Sequence, residues 1–224
     1  MPGSPSMITL HAVPSSIYGA KVRIVLRHKG LGALVGEGMS VAVPCAAEPV
    51  LVNADLELTD TEAMVDYLDT LRPLPAMVPD TPETQGRERA LSIFLNVRLE
   101  PAITALATLL VQDAPRLDDV LAQGEVVSAT LEAMAKMVDR RGRKRGGNAA
   151  PTLRSEAVPL LLGDCGYPAA FAWIDALDEA YVLKIVWPGA VRAYALMLEE
   201  RAAVAETMGP CRAAIREWIE AQKG

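Results

Sequence analysis

A small α/β layer followed by an all-α helical bundle is the fold class the sequence predicts. Three observations predict it. Strand and helix patterns alternate through the first 72 residues. Four prolines (Pro73, Pro75, Pro79 and Pro82) then crowd a short stretch. Beyond them only helical periodicity remains, in a half rich in Ala and Leu. The boundaries read as an α/β domain over 7–72, a linker over 73–82 and an all-α domain over 83–224. With 224 residues, 51% of them hydrophobic, the chain can bury a sizeable core, which excludes a disordered chain. Aromatics are only 4%, so that core is mostly aliphatic.

Residues 7–11 read as a short strand, and Pro14-Ser15-Ser16 as a turn. From Tyr18 to Lys29, Val22, Ile24, Val25 and Leu26 supply an apolar face. Lys21, Arg23, Arg27 and Lys29 supply a polar surface. Gly30 is a good helix stop. Residues 34–43 predict a short strand and a loop, broken by Gly36 and Gly38. Pro49-Val50-Leu51-Val52 reads as a buried strand, Asn53-Ala54-Asp55 as a turn, and Leu56-Glu57-Leu58 as the second arm of a hairpin. Thr59 and Glu62 have the spacing of a capping box for a helix whose stripe is Met64, Tyr67, Leu68 and Leu71. Residues 83–112 predict one long helix, kinked or split at Pro101. Residues 117–140 read as its antiparallel partner. Arg140 to Gly147 is a basic, glycine-punctuated stretch that reads as a solvated loop. Helices over 168–184, 188–202 and 210–221 complete the chain. Trp173, Trp187 and Trp218 are expected to anchor the core.

Composition also excludes function classes. A net charge of −6 and a pI near 5.1 leave no global basic field, so no nucleic-acid partner is expected. No run approaches about 18 uninterrupted apolar residues, so no membrane partner is expected. Cys45, Cys165 and Cys211 are odd in number, far apart and without a C-x-x-C pair, which speaks against a zinc ribbon or a redox pair. His11 and His28 are too few for a His-rich site, so no metal is expected. The Pro/Gly/Ser-rich residues 1–6 lack the pattern of a secretory signal, and a reducing cytoplasm is expected.

Four segments carry a resemblance. The first runs from Pro14-Ser15-Ser16 through Lys21-Val22-Arg23 to Lys29-Gly30-Leu31. The second is Pro49-Val50-Leu51-Val52. The third is Leu58-Thr59-Asp60-Thr61-Glu62-Ala63-Met64 with Asp66-Tyr67-Leu68 after it. The fourth is the proline-rich stretch leading into Arg87-Glu88-Arg89-Ala90. In this order and spacing the chain resembles the cytosolic glutathione transferases, over most of residues 7–100 and more loosely beyond.

The resemblance implies a thioredoxin-like N-terminal domain that binds glutathione as co-substrate. It also implies a helical domain with a pocket for a small hydrophobic electrophile, and a homodimer. Ser16 matches the catalytic serine or cysteine of the theta-, zeta- and beta-like bacterial classes. A hydroxyl and a helix N-terminus would both favour a bound thiolate over a thiol. The same serine is also a favoured helix N-cap. Ser15 is the neighbouring hydroxyl, and Tyr18 reads as a packing residue. Thr61 and Asp60 would hold the γ-glutamyl carboxylate and amino group at a helix N-terminus, or simply form a cap. Pro49 would be the cis-proline that exposes the Glu48 backbone to a peptide-like ligand, or a trans proline at a strand start. Cys45 lies near this site and reads as a buried structural thiol.

The sequence also departs from the family. Glu48 stands where the family usually has an apolar residue, often Val. Residues 31–43 span about half the usual length, which truncates the second helix. Pro168 and Phe171 stand at the positions of the family's Ser/Thr-x-x-Asp capping box. The first reading is therefore a transferase that adds glutathione thiolate to a small electrophile, or an isomerase or dehalogenase variant. The second is a non-catalytic interaction protein of the same fold, with weak or no glutathione binding.

Overall fold

Strand β1 (Ile8–Ala12) alternates as the sequence pattern requires: Ile8, Leu10 and Ala12 are buried, Thr9 and His11 half-buried. The computed structural model describes residues 8–37, 42–112, 116–146 and 159–223. Helix α1 (Ile17–His28) follows β1. Ser16 caps it by accepting a hydrogen bond from the Gly19 amide. Gly30, at φ 59°, closes it in the left-handed conformation that a side chain would strain.

Strand β2 (Ala33–Glu37) pairs parallel with β1. Gly36 was expected to interrupt this strand, but it is part of it. It pairs with His11, and a Cβ at that position would lie 2.2 Å from the His11 ring. Strands β3 (Val50–Asn53) and β4 (Leu56–Leu58) form the expected hairpin, and the sheet order is β2-β1-β3-β4. Among the described residues, a 3-10 turn at Pro44–Ala46 is the one helical turn between β2 and β3. Leu34 stays half exposed, at 50%.

Helix α2 (Thr61–Leu71) corrects the expected cap. Asp60, not Thr59, is the N-cap, and its carboxylate accepts from the Ala63 amide at 2.7 Å. Glu62 does not reach back to close a box. It is drawn instead to the buried ammonium of Lys21, a stronger partner than a neutral amide. Two cationic residues of this region were misplaced by the sequence pattern. Lys21 and Lys29, read as surface, are 1% and 2% exposed. Each is paired, Lys21 with Glu62 and Lys29 with Asp69.

Residues 72–81 contain no helix or strand, but they are held down. Met77 is fully buried, its carbonyl accepts from the Leu162 amide at 3.1 Å, and Lys29 donates to the Pro75 carbonyl at 2.6 Å. The cis peptide falls at Leu74–Pro75, and the bond before Pro49 is trans. Pro49 simply precedes β3, where no amide is needed for the ladder.

The expected break at Pro101 appears as a widened turn. Helix α3 (Pro82–Phe94) passes through a π-helical turn at Leu95–Leu99 into α4 (Glu100–Leu110). Pro101 sits in the first turn of α4, and the π turn just before it takes up the break that its missing amide makes in the helical ladder. By length and composition the stretch Pro82–Leu110 is apolar enough to span a membrane, with a mean hydropathy of 1.4 over its best window. Here Leu91, Leu95, Leu99, Ile103, Leu106 and Leu110 of that stretch are buried in the core.

Helix α5 (Leu117–Gly146) packs against α4 and is longer than expected. The basic run from Arg140 lies in its final turns rather than in a loop, and those side chains lie outside the described residues. Helices α6 (Tyr167–Tyr181), α7 (Gly189–Glu199) and α8 (Ala202–Gln222) follow. Helix α8 starts eight residues before the expected 210, because its buried face of Val204, Thr207, Met208, Cys211 and Ile215 continues across Pro210.

Aromatic side chains join the two halves. Trp173 is fully buried and donates to the Ser15 carbonyl at 2.7 Å. Trp218 meets it edge-on at 5.2 Å, and Trp187 meets Phe171 at 5.3 Å. The three tryptophans are packing residues as expected, although Trp187 and Trp218 are only half-buried.

Candidate functional site

The loop after β1, the approach to β3 and the N-terminus of α2 bring Ser16, Glu48, Pro49 and Thr61 together. Ser16 is 0% exposed. Its hydroxyl accepts from the Gly19 amide at 2.9 Å and donates to the Ala47 carbonyl. One residue further on, Glu48 accepts a 2.7 Å hydrogen bond from the hydroxyl of Thr61, itself 4% exposed. Consecutive residues of one segment thus take the protons of both hydroxyls. Pro49, buried, separates that segment from β3. Ser15 is 3% exposed beside this group, and its carbonyl accepts from Trp173. Asp60 is exposed and serves as the cap of α2.

The electrostatics are acidic. Glu48 is exposed as a residue, but its carboxylate rests on the buried Thr61 hydroxyl. Burial pushes its pKa up, the Thr61 bond opposes that, and the charges of Asp60 and Glu100 reinforce it. Glu100 was not singled out in the sequence. It is 6% exposed and accepts from the Tyr18 hydroxyl at 3.1 Å and from Thr104. Tyr18 is therefore a buried, hydrogen-bonded packing residue. Its pKa is raised, first by burial and then by Glu100. Cys45 is fully buried, 3.3 Å from the Thr104 hydroxyl, with its thiol pushed up to about 11 by burial. That thiol is a structural one.

Beneath α2 the Lys21 ammonium donates to Glu62 and, at 2.9 Å, to Ser92. Ser92 and Asn96 in turn donate to Glu62. This polar cluster ties α1 and α2 to α3. The sequence did carry a signal for it: Lys21 lies on the stripe of Ile17 and Ile24, one turn from each, so it had to point inward. Glu100 likewise lies one turn before Ile103, on the buried face of α4.

The arrangement can hold a carboxylate or hydroxyl acceptor against the α2 N-terminus, and Glu48 supplies that carboxylate internally. Neither hydroxyl turns a proton toward a ligand. Two carboxylates, Glu48 and Glu100, make this region acidic, and each charge acts on the other's surroundings.

A four-stranded sheet of order β2-β1-β3-β4 with α1 and α2, followed by six helices among the described residues, is the fold of the glutathione transferases. A tau-class glutathione transferase from mango, Mangifera indica, is 16% identical and superimposes with a TM-score of 0.75 over 98% of this chain and 100% of its own. The glutathione-bound theta-class enzyme from Xanthomonas axonopodis pv. citri is 16% identical, with a TM-score of 0.68 over 92% of this chain and 98% of its own. At these identities the likeness is one of fold.

Similarity in sequence points elsewhere within that fold. The chain is similar to stringent starvation protein A homologues. The one from Coxiella burnetii is 34% identical over 94 residues, 38% of this chain and 45% of its own length. The one from Pasteurella multocida is 32% identical over 106 residues, 44% of this chain and 50% of its own. The match thus spans about half the length of these curated relatives. No family profile matches the chain.

Proposed function

We propose that this protein is an interaction protein of glutathione-transferase fold that works by binding partners rather than by turning over substrate. Its affinity for glutathione is weak or absent. The observation that carries this reading is the internal use of both site hydroxyls: Ala47 takes the proton of Ser16 and Glu48 that of Thr61. A glutathione thiolate would need the first, and its γ-glutamyl carboxylate would compete with Glu48 for the second. The two acidic side chains would also repel it. The similarity to stringent starvation protein A homologues supports a regulatory role under starvation. The working units are a thioredoxin-like part over 7–72, a connector over 73–82 and a helical part over 83–224. The protein acts in the cytoplasm as a homodimer, without nucleic acid or membrane. Apolar residues exposed one turn apart, Ile93 with Val97 and Leu117 with Leu121, suit a surface that another copy covers.

The second reading, conjugation of glutathione to a small hydrophobic electrophile with Ser16 holding the thiolate, is favoured by the fold neighbours whose structures contain glutathione or glutathione sulfonate. Calorimetric titration with glutathione, alongside ultraviolet thiolate absorbance against pH, separates the two. The interaction reading expects no saturable binding at millimolar glutathione and no thiolate signal beyond that of free glutathione, whose thiol titrates near the ordinary pKa of about 8.5. Micromolar binding with a depressed thiol pKa that Ser16→Ala abolishes would establish the transferase instead.

A further inference from the structure

A cavity of about 440 Å³ lies between α1, α8 and the β2 edge of the sheet, on the side of α1 turned away from Lys21 and Thr61. We propose that it binds a small amphipathic carboxylate, with the head on Arg23 and Arg27 and the apolar body against Leu10, Leu26 and Leu31.

The volume falls in the range of about 300–1,000 Å³ of small-molecule sites. Most of the lining is aliphatic, and the two guanidinium groups are its charged members. They stand one turn apart on α1, so both face the same opening. Arg23 is half-buried and gives two N–H groups to the carbonyls of Ala12 (2.8 Å) and Val13 (3.3 Å). That uses two of its five donors. No carboxylate pairs with it among the described residues. A half-buried charge without a counter-ion is costly, and a bound anion would offset that cost. Burial lowers the Arg23 pKa, the nearby Cys211 opposes this, and the positive charge of Arg27 adds to it. An anion between the two guanidiniums relieves both effects. Arg27 donates to Thr207 at 3.1 Å and forms an exposed ion pair with Glu206, at 3.7 Å from its Nε and too long for a hydrogen bond, which solvent screens. Planar forks of this kind match the two oxygens of a carboxylate. Pro210 forms part of the α8 wall. Having no amide, it leaves the Glu206 carbonyl without its helical bond, and its ring needs room at that turn.

The test is calorimetric titration of the full chain with octanoate, and with octanol as the uncharged match. Octanoate should bind one to one, and octanol at least tenfold more weakly. Arg27→Met should weaken octanoate about tenfold or more, the loss expected for a charge-assisted bond. Ala33→Leu, which fills the cavity from an edge strand without changing charge, should weaken it as well. An unchanged melting temperature will show that each variant is folded. Excess glutathione should not displace octanoate, which separates this site from the Thr61 one. The proposal is overturned if octanoate fails to saturate in the millimolar range, if octanol binds equally well, if glutathione competes, or if both variants bind like wild type.

Discussion

Replacing Glu48 with valine should restore glutathione binding. In the wild type a ligand carboxylate must displace the Glu48 oxygen from the Thr61 hydroxyl, a contact of 2.7 Å. A hydrogen bond to a charged group contributes about 1.5–3 kcal/mol. Because Glu48 is exposed as a residue, solvent screening puts the effect at the low end, a gain of about tenfold in affinity. Removing one of the two carboxylates of this acidic region, Glu48 and Glu100, adds to that. Acid should act in the same direction. The folded-state pKa of Glu48 is raised above its ordinary 4.5, so its contribution to stability is full below that value and is lost as pH rises through the folded pKa. The charged form is the one that competes with a ligand carboxylate for the Thr61 hydroxyl. Acidification toward its folded pKa should strengthen glutathione binding by wild type, and Glu48→Val should lack that step. The assay is calorimetric titration of both proteins with glutathione, at matched salt, from neutral pH to about 5. If Glu48→Val binds no more tightly than wild type at neutral pH, Glu48 is not what closes the site.

The other predictions concern stability. Ser16→Ala removes a helix cap and leaves the part-buried Ala47 carbonyl without its donor, about 2 kcal/mol together, so the melting temperature should fall by about 4–8 °C. An unchanged melting curve would show that these bonds contribute nothing. Glu62→Gln strands the buried Lys21 ammonium and should cost about 3 kcal/mol, the low end for a broken buried pair because Glu62 is 37% exposed, whereas the double change Lys21→Met with Glu62→Leu should recover part of that. Burial alone would raise Glu62, but the Lys21 charge and the bonds from Lys21, Asn96 and Ser92 hold it below 4.5, so this stability is present above that pH and lost on acidification below it. Urea unfolding of wild type and Glu62→Gln at neutral and acid pH should therefore converge, and a constant gap would refute the assignment.

The fold class was legible because periodicity is local. The alternation of Ile8, Leu10 and Ala12, the stripe of α1 and the proline at 101 each act within a few residues of themselves. Ser16 as a cap was equally legible, since the capped amide is three residues away. What periodicity does not carry is the partner of a polar group. That Lys21 meets Glu62 depends on how α1 and α2 pack, 41 residues apart along the chain. Gly36 read as a break because the reason for it, the His11 ring across the strand pair, lies on another strand. The departure at Glu48 was visible, but its direction toward Thr61 was not. Thr61 was singled out as a donor to a ligand carboxylate, and the protein supplies that carboxylate itself.

A helix N-terminus with a hydroxyl accepts whichever anion is nearest, and nearness here is covalent. Glu48 is 13 residues from Thr61. A side chain tethered over so short a span is present at an effective concentration on the order of millimolar or more. A free carboxylate of equal intrinsic affinity must exceed that concentration before it displaces Glu48, and a tighter one needs proportionally less. The fold does not depend on the outcome: the cap of α2 is Asp60, the cap of α1 is Ser16, and the core beneath is apolar. A single residue at position 48 can thus separate the architecture of a glutathione enzyme from its chemistry.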